Sequence, residues 1–122
     1  MLYTSETSSL SILEMAVHYK TLSKLIENIL LVIEIPEAPL LIRKLNSTQL
    51  PDKWDFYPLI TETQEIGTKW LIDKQSLVLS VPSAVNPNER NILINPLHPE
   101  FKKIKIAEKR SYDLQSRSIN RL

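Results

Sequence analysis

At 122 residues, with 43% hydrophobic and 24% charged side chains, the chain holds one domain's worth of core-forming material in ordinary globular proportions. It has no cysteine, which excludes disulfides, thiolate metal sites and a cysteine nucleophile, and a single glycine, which excludes the glycine-rich phosphate loops of P-loop and Rossmann type. The formal net charge of +1 conceals a basic end: residues 102–122 carry seven bases and two acids, a solvated tail rather than the broad basic field and reading element of a nucleic-acid binder.

No apolar run approaches the roughly 20 residues of a membrane helix, since Ile29–Ile33 is followed by Glu34 and Pro36. The start of the chain has no basic segment leading into a long apolar one. A cytoplasmic protein with no membrane partner and no direct nucleic-acid contact is the expectation.

Met1–Tyr3 read as the end of a strand, and Thr4–Ser9 as a polar link. Leu10, Leu13 and Val17 then recur at helical spacing, widened by Met15, Ala16 and Tyr19, so a helix is expected from Leu10 to about Leu22. Glu14 lies four residues after Leu10 and three before Val17, which puts a carboxylate on the apolar stripe. Two explanations stand. Ser11 and Glu14 fit a capping box; if the helix instead begins near Ser8 or Ser9, Glu14 falls beyond the first turn and needs a donor or a ligand of its own. His18, one turn further on, reads as a packed or surface residue.

Ile29–Ile35 is β-branched and bounded by Asn28 and Pro36, so it reads as a strand with Glu34 on its solvated side. Residues 36–58, with four prolines, are expected to be irregular apart from a short strand at Leu40–Arg43, and Trp54 and Phe56 are expected to fasten them to the core. Thr61 to about Asp73 is a second helix, with Thr61 and Gln64 as a capping pair and Ile66, Trp70 and Leu71 on one face. Gly67 inside that helix costs about 1 kcal/mol relative to alanine, which implies a close neighbour, a backbone segment before a ligand.

Leu77–Val81 is a short apolar run that Pro82 must end, and Ser83 opens the loop that follows; Asn86-Pro87-Asn88-Glu89 is turn chemistry, and Ile92–Ile94 is the next strand. After the turn at Asn95–Pro99, Lys103–Ile106 alternates like an edge strand, and the chain from Glu108 on reads as loosely held. Segregated helices and strands without regular alternation define an α+β (mixed α/β) fold. Two distant histidines and no HExxH argue against zinc, and no nucleophile elbow surrounds Ser83.

Several of these pieces occur in a familiar order. Leu2-Tyr3-Thr4-Ser5-Glu6 is followed by the helix with Leu13-Glu14 and Val17-His18, then by Leu50-Pro51 and Trp54. Thr63-Gln64, Ile66-Gly67 and Trp70-Leu71 come next, then Ser76-Leu77-Val78-Leu79, Val81-Pro82-Ser83-Ala84-Val85, Glu89-Arg90-Asn91, Asn95-Pro96 and His98-Pro99. From Tyr3 to about Phe101 the chain resembles the RES domain family, named for arginine, glutamate and serine residues.

The resemblance implies an ADP-ribosyltransferase-like fold, a central and mostly antiparallel sheet with flanking helices. It implies a toxin that cleaves NAD at the nicotinamide–ribose bond by hydrolysis, phosphorolysis or ADP-ribosyl transfer, with no metal, neutralised by a helix-turn-helix antitoxin. Carried over by position, Glu14 and Ser83 are the expected catalytic residues, and Tyr3 and Asn91 the expected NAD-binding ones; Asn95 matches the motif too. A carboxylate at Glu14 would stabilise the positive charge that develops on the ribose or hold a ribose hydroxyl, Tyr3 would stack on the nicotinamide or bond the ribose, and Ser83 would offer a hydroxyl to substrate or phosphate.

The family's N-terminal arginine and its Arg-Trp-Asn stretch have no counterpart here, so the expectation is a partial RES domain over residues 1–107, short of its N-terminal strands, with a basic tail over 108–122. Arg43 and Arg90 are the candidates to replace the arginine on the phosphates. A second reading stands beside the enzyme: an inactive shortened remnant that only binds an antitoxin. Self-association into a homo-oligomer and the acceptor of the ADP-ribosyl group stay open.

Overall fold

The computed structural model describes residues 1–18 and 28–112. The expected continuation of the first helix to Leu22 and the tail beyond residue 112 lie outside the described residues. The strands are β1 (Leu2–Ser5), β2 (Asn28–Glu34), β3 (Ile42–Lys44), β4 (Val78–Pro82), β5 (Arg90–Ile94) and β6 (Lys105–Tyr112); the helices are α1 (Ser8–His18) and α2 (Thr61–Asp73). The fold class is α+β.

Four strands form one sheet in the order β1-β5-β4-β3, antiparallel except for β3 beside β4. The central strand β4 is covered on both faces, which is why Leu77, Val78 and Leu79 form a continuous apolar run instead of alternating. On one face Leu79 and Leu93 meet Trp70 of α2 and Leu45, with Met1, Ile66 and Leu71 around them. On the other, Leu77, Val78 and Ile94 meet Ile33, Ile35, Phe101 and Ile104.

The strand β6 pairs antiparallel with β2 in a separate two-stranded sheet, with a bulge between Val32 and Ile33. It begins two residues later than the lysine alternation suggests and extends through Glu108–Tyr112, where a loose end was expected. Pairing with a strand more than seventy residues earlier organises this segment, and its own sequence carries no sign of that. Lys103 instead lies in a 3-10 turn and pairs with Glu100 at 3.0 Å.

The bounds of α2 are those read from the sequence, but its cap is not. Ile60 occupies the cap position without a side-chain bond, Thr61 is the first helical residue, and Gln64 reaches back to the Leu59 carbonyl (3.3 Å). At the far end Lys74 takes the left-handed conformation, and the Trp70 indole donates to the buried Ser76 hydroxyl (2.8 Å). A Cβ on Gly67 would meet only the terminal methyl of Met1, at 3.5 Å, which is ordinary contact. No backbone segment forces a glycine there. Phe56 is also corrected: it is 53% exposed, with the Lys53 ammonium over its ring, whereas Trp54 is half-buried.

Among the described residues of the apolar stripe expected on α1, Leu10 is buried, at 1% exposure, and Met15 half-buried, while Leu13 and Val17 are 44% and 52% exposed. The first helix is thus held by a narrow apolar contact. Its polar anchors at Thr7 and Glu14 converge on the loop after β4.

Candidate active site

The start of α1 is fixed by threonine. The Thr7 hydroxyl accepts the Leu10 amide (3.1 Å) and its carbonyl accepts the Ser11 amide (3.2 Å), which makes Thr7 the cap and Ser8 the first helical residue. Glu14 therefore lies beyond the first turn, and the Ser11–Glu14 capping box is not formed. The half-buried Glu14 carboxylate is held across the chain instead: the Ser83 hydroxyl donates to its Oε1 at 2.8 Å, 69 residues away in sequence.

Ser83 is fully buried at 0% exposure, immediately after Pro82 ends β4. Its hydroxyl accepts the amides of Val85 (3.0 Å) and Asn86 (3.1 Å) while donating to Glu14. A serine hydroxyl has one proton and two lone pairs, so every position on this oxygen is taken. The loop wraps around it as a serine turn. Glu14 Oε1 is occupied in the same way, whereas its Oε2 takes no hydrogen bond among the described residues.

A polar seam continues the β1–β5 pairing into α1. Ser5 donates to Asn91 Oδ1 (3.4 Å), Glu6 exchanges bonds with the Arg90 backbone (3.1 and 2.8 Å), and Thr7 donates to Glu89 Oε1 (2.5 Å). The other oxygen of Glu89 accepts the Asn86 side-chain amide (3.0 Å). Thr7 and Asn86 entered the sequence reading only as linker and turn residues, and Glu89 only as a turn residue and a member of the resemblance's Glu89-Arg90-Asn91 stretch. The signal was a carboxylate closing an Asn-Pro-Asn-Glu turn, and nothing local says that it reaches another element.

Tyr3 is 72% exposed on the edge strand, opposite Leu93, and Asn91 is half-buried opposite Ser5 and Val81. The register puts Tyr3 and Asn91 on one face of the sheet as diagonal neighbours, the separation that aromatic side chains span. The structure thus joins Glu14 to Ser83 directly and sets Tyr3 beside Asn91.

The two candidate arginines differ: Arg90 is committed inside the protein, whereas Arg43 stays exposed. The guanidinium of Arg90 turns inward, donating to the Ser80 hydroxyl (2.7 Å), the Ser80 carbonyl (3.0 Å) and the Leu45 carbonyl. Arg43 donates to Gln75. Asn95 is fully buried, bonding the Leu71 carbonyl (2.9 Å) and the Leu97 amide (2.9 Å), so it locks the end of α2 to the turn after β5. His98 uses its Nδ1 to accept the Glu100 amide at 3.0 Å. Among the described residues no cluster of three or more potential metal ligands occurs, and no helix is long and apolar enough to cross a membrane.

Comparison with known families identifies this α+β chain directly. The RES domain model matches residues 1–115, and the chain belongs to the RES domain family. It is similar to the Toxin Res of Yersinia enterocolitica, with 38% identity over 100 residues covering 82% of this chain and 64% of that protein. It is similar to the Toxin Res of Photorhabdus laumondii, with 34% identity over 118 residues, covering 96% of this chain and 74% of that one. The Prs ADP-ribosylating toxin of a Sphingobium species is 30% identical over 122 residues, covering 99% and 76%. The chain thus spans 64% of the length of the first of these relatives and about three quarters of the other two.

Proposed function

We propose that this protein cleaves NAD at the bond between the ribose and the nicotinamide nitrogen. Glu14 is the catalytic carboxylate in this reading, and Ser83 acts through it as a positioning residue. The observation that carries the proposal is the 2.8 Å hydrogen bond from the Ser83 hydroxyl to Glu14 Oε1, which fixes one oxygen of the acid and leaves the other to the substrate.

When the bond breaks, its electron pair goes to the nicotinamide ring and neutralises it, while positive charge grows on the ribose. A carboxylate held in place stabilises that charge, or a hydrogen-bonded ribose hydroxyl, without reorganising at the moment of reaction. A nucleophile then adds at the ribose carbon and gives up its proton: water, phosphate or a protein side chain. Tyr3 offers an exposed aromatic face to the nicotinamide, and Asn91 an amide to the ribose. The name of the Sphingobium relative, an ADP-ribosylating toxin, supports NAD as the donor, and the toxin names support an antitoxin as the protein partner, in this reading one of helix-turn-helix type.

The test is nicotinamide release from NAD by the purified protein, with Glu14→Gln and Glu14→Ala beside it. Release that vanishes in both variants is expected. No release from the intact chain, or unchanged release in Glu14→Ala, removes the reading. Free ADP-ribose, ADP-ribose 1-phosphate or a labelled protein among the products identifies the acceptor. The alternative reading is antitoxin binding without turnover; antitoxin capture by a chain that releases no nicotinamide would establish it.

A further inference from the structure

The loop from Ser83 to Glu89 grips α1 at two points. At one end Ser83 holds Glu14 (2.8 Å); at the other Glu89 holds the cap residue Thr7 (2.5 Å). Asn86 joins the two grips, because its backbone amide donates to the Ser83 hydroxyl (3.1 Å) and its side-chain amide donates to Glu89 Oε2 (3.0 Å). The path from Glu14 through Ser83, Asn86, Glu89 and Thr7 returns along the helix to Glu14, and every link in it is a hydrogen bond or helical backbone.

The two grips are seven residues apart on α1, or about 10 Å along the axis at about 1.5 Å per residue. Holding a rod at both ends fixes its translation along the loop and its tilt; one contact fixes neither. The apolar contact of α1 is narrow, with Leu10 buried, Ile12 and Met15 half-buried and Leu13 and Val17 exposed, so the polar grips add to what fixes the helix. A backbone bond from the Ser83 amide to the Glu89 carbonyl (3.0 Å) closes the loop base and makes the span rigid.

We infer that Glu89 is a positioning residue for Glu14: through Thr7 and Asn86 its carboxylate closes a hydrogen-bonded circuit that fixes where the acid of α1 meets the Ser83 hydroxyl. The effect on turnover rests on the NAD-cleaving reading above. The circuit itself does not.

Two measurements separate them. Amide hydrogen exchange of Val85 and Asn86, whose N–H groups end on the Ser83 hydroxyl, reports the circuit without any substrate. In Glu89→Ala and in Thr7→Val these two amides exchange about tenfold faster, the worth of one hydrogen bond to a charged group. In Thr7→Ser and in Trp70→Phe, a core variant on the α2 face, they keep wild-type protection once global stability is matched. In the same set, nicotinamide release falls about tenfold in kcat with KM changed less than about twofold in Glu89→Ala, because orientation of the acid is lost and binding is not. Glu89→Gln, which still accepts from Asn86, recovers most of it.

Unchanged exchange at Val85 and Asn86 in both Glu89→Ala and Thr7→Val overturns the inference, and so does a kcat loss that Trp70→Phe reproduces at equal stability. If the wild-type chain releases no nicotinamide, the catalytic reading fails while the exchange measurement still decides the circuit.

Discussion

Replacing Ser83 by alanine removes one oxygen and three hydrogen bonds: the donation to Glu14 at 2.8 Å and the acceptances from Val85 at 3.0 Å and Asn86 at 3.1 Å. A bond to a charged group contributes about 1.5–3 kcal/mol net, and a neutral one about 0.5–1.5 kcal/mol. Glu14, Val85 and Asn86 are half-buried, so water recovers part of each lost bond. The charged bond therefore dominates, and the expected loss of stability is about 2–4 kcal/mol. That is a large fraction of the roughly 5–15 kcal/mol that holds a domain folded. Urea unfolding followed by tryptophan fluorescence measures it, with a lowered midpoint and an unchanged slope. A double-mutant cycle with Glu14→Ala isolates the shared bond, and a coupling of at least about 1 kcal/mol is expected. Ser83→Ala within about 0.5 kcal/mol of the wild type, or a cycle with zero coupling, would refute the account of Ser83 as the centre of this loop.

Gly67→Ala should stabilise the protein by up to about 1 kcal/mol, since the new methyl meets only the flexible end of Met1 at 3.5 Å and the helix gains propensity; thermal unfolding reads it directly. Arg90→Lys should cost about 2 kcal/mol in urea unfolding, because a single ammonium cannot reproduce the fork that reaches Ser80 and Leu45. The Glu100 carboxyl is held below its ordinary value by the hydrogen bond and charge of Lys103. Whatever this exposed pair contributes is present above the unfolded pKa and lost as pH falls through the folded one, and an NMR titration should find the Glu100 midpoint returning upward in Lys103→Ala.

Local patterns revealed the elements, and nonlocal contacts decided what they do. The apolar face of α2, with Trp70 at its centre, was legible because helical spacing is a local property. Its cap was misread because a Thr–Gln spacing of three also arises one residue inside a helix. The strand β6 was cut short because only its partner β2 shows that Glu108–Tyr112 is a strand. At the site, the anomaly of Glu14 on an apolar stripe was visible, and the helix start decided between its two explanations. Its meeting with Ser83 was not visible in spacing at all, because the two lie 69 positions apart with three strands between them. The family resemblance supplied both positions. It did not supply the saturation of the Ser83 hydroxyl, which assigns that residue to holding the acid.

The weak apolar seating of α1 ties folding to chemistry in this protein. A helix with one buried apolar side chain among those described would ordinarily be marginal, because most helical stability in proteins comes from packing. Here polar bonds at Thr7 and Glu14 supply what the apolar face does not, so the group proposed to meet the substrate is also one of the two grips on its own helix. Glu14→Ala consequently confounds two losses, and a drop in activity after it does not by itself identify the acid. Glu14→Gln separates them. Its carbonyl oxygen still accepts from Ser83, with the neutral bond weaker than the charged one by about 1 kcal/mol, while its amide carries no charge to stabilise a developing cation. A Glu14→Gln protein that unfolds within about 1 kcal/mol of the wild type yet releases no nicotinamide assigns the loss to charge. One that keeps turning over assigns Glu14 to the fold.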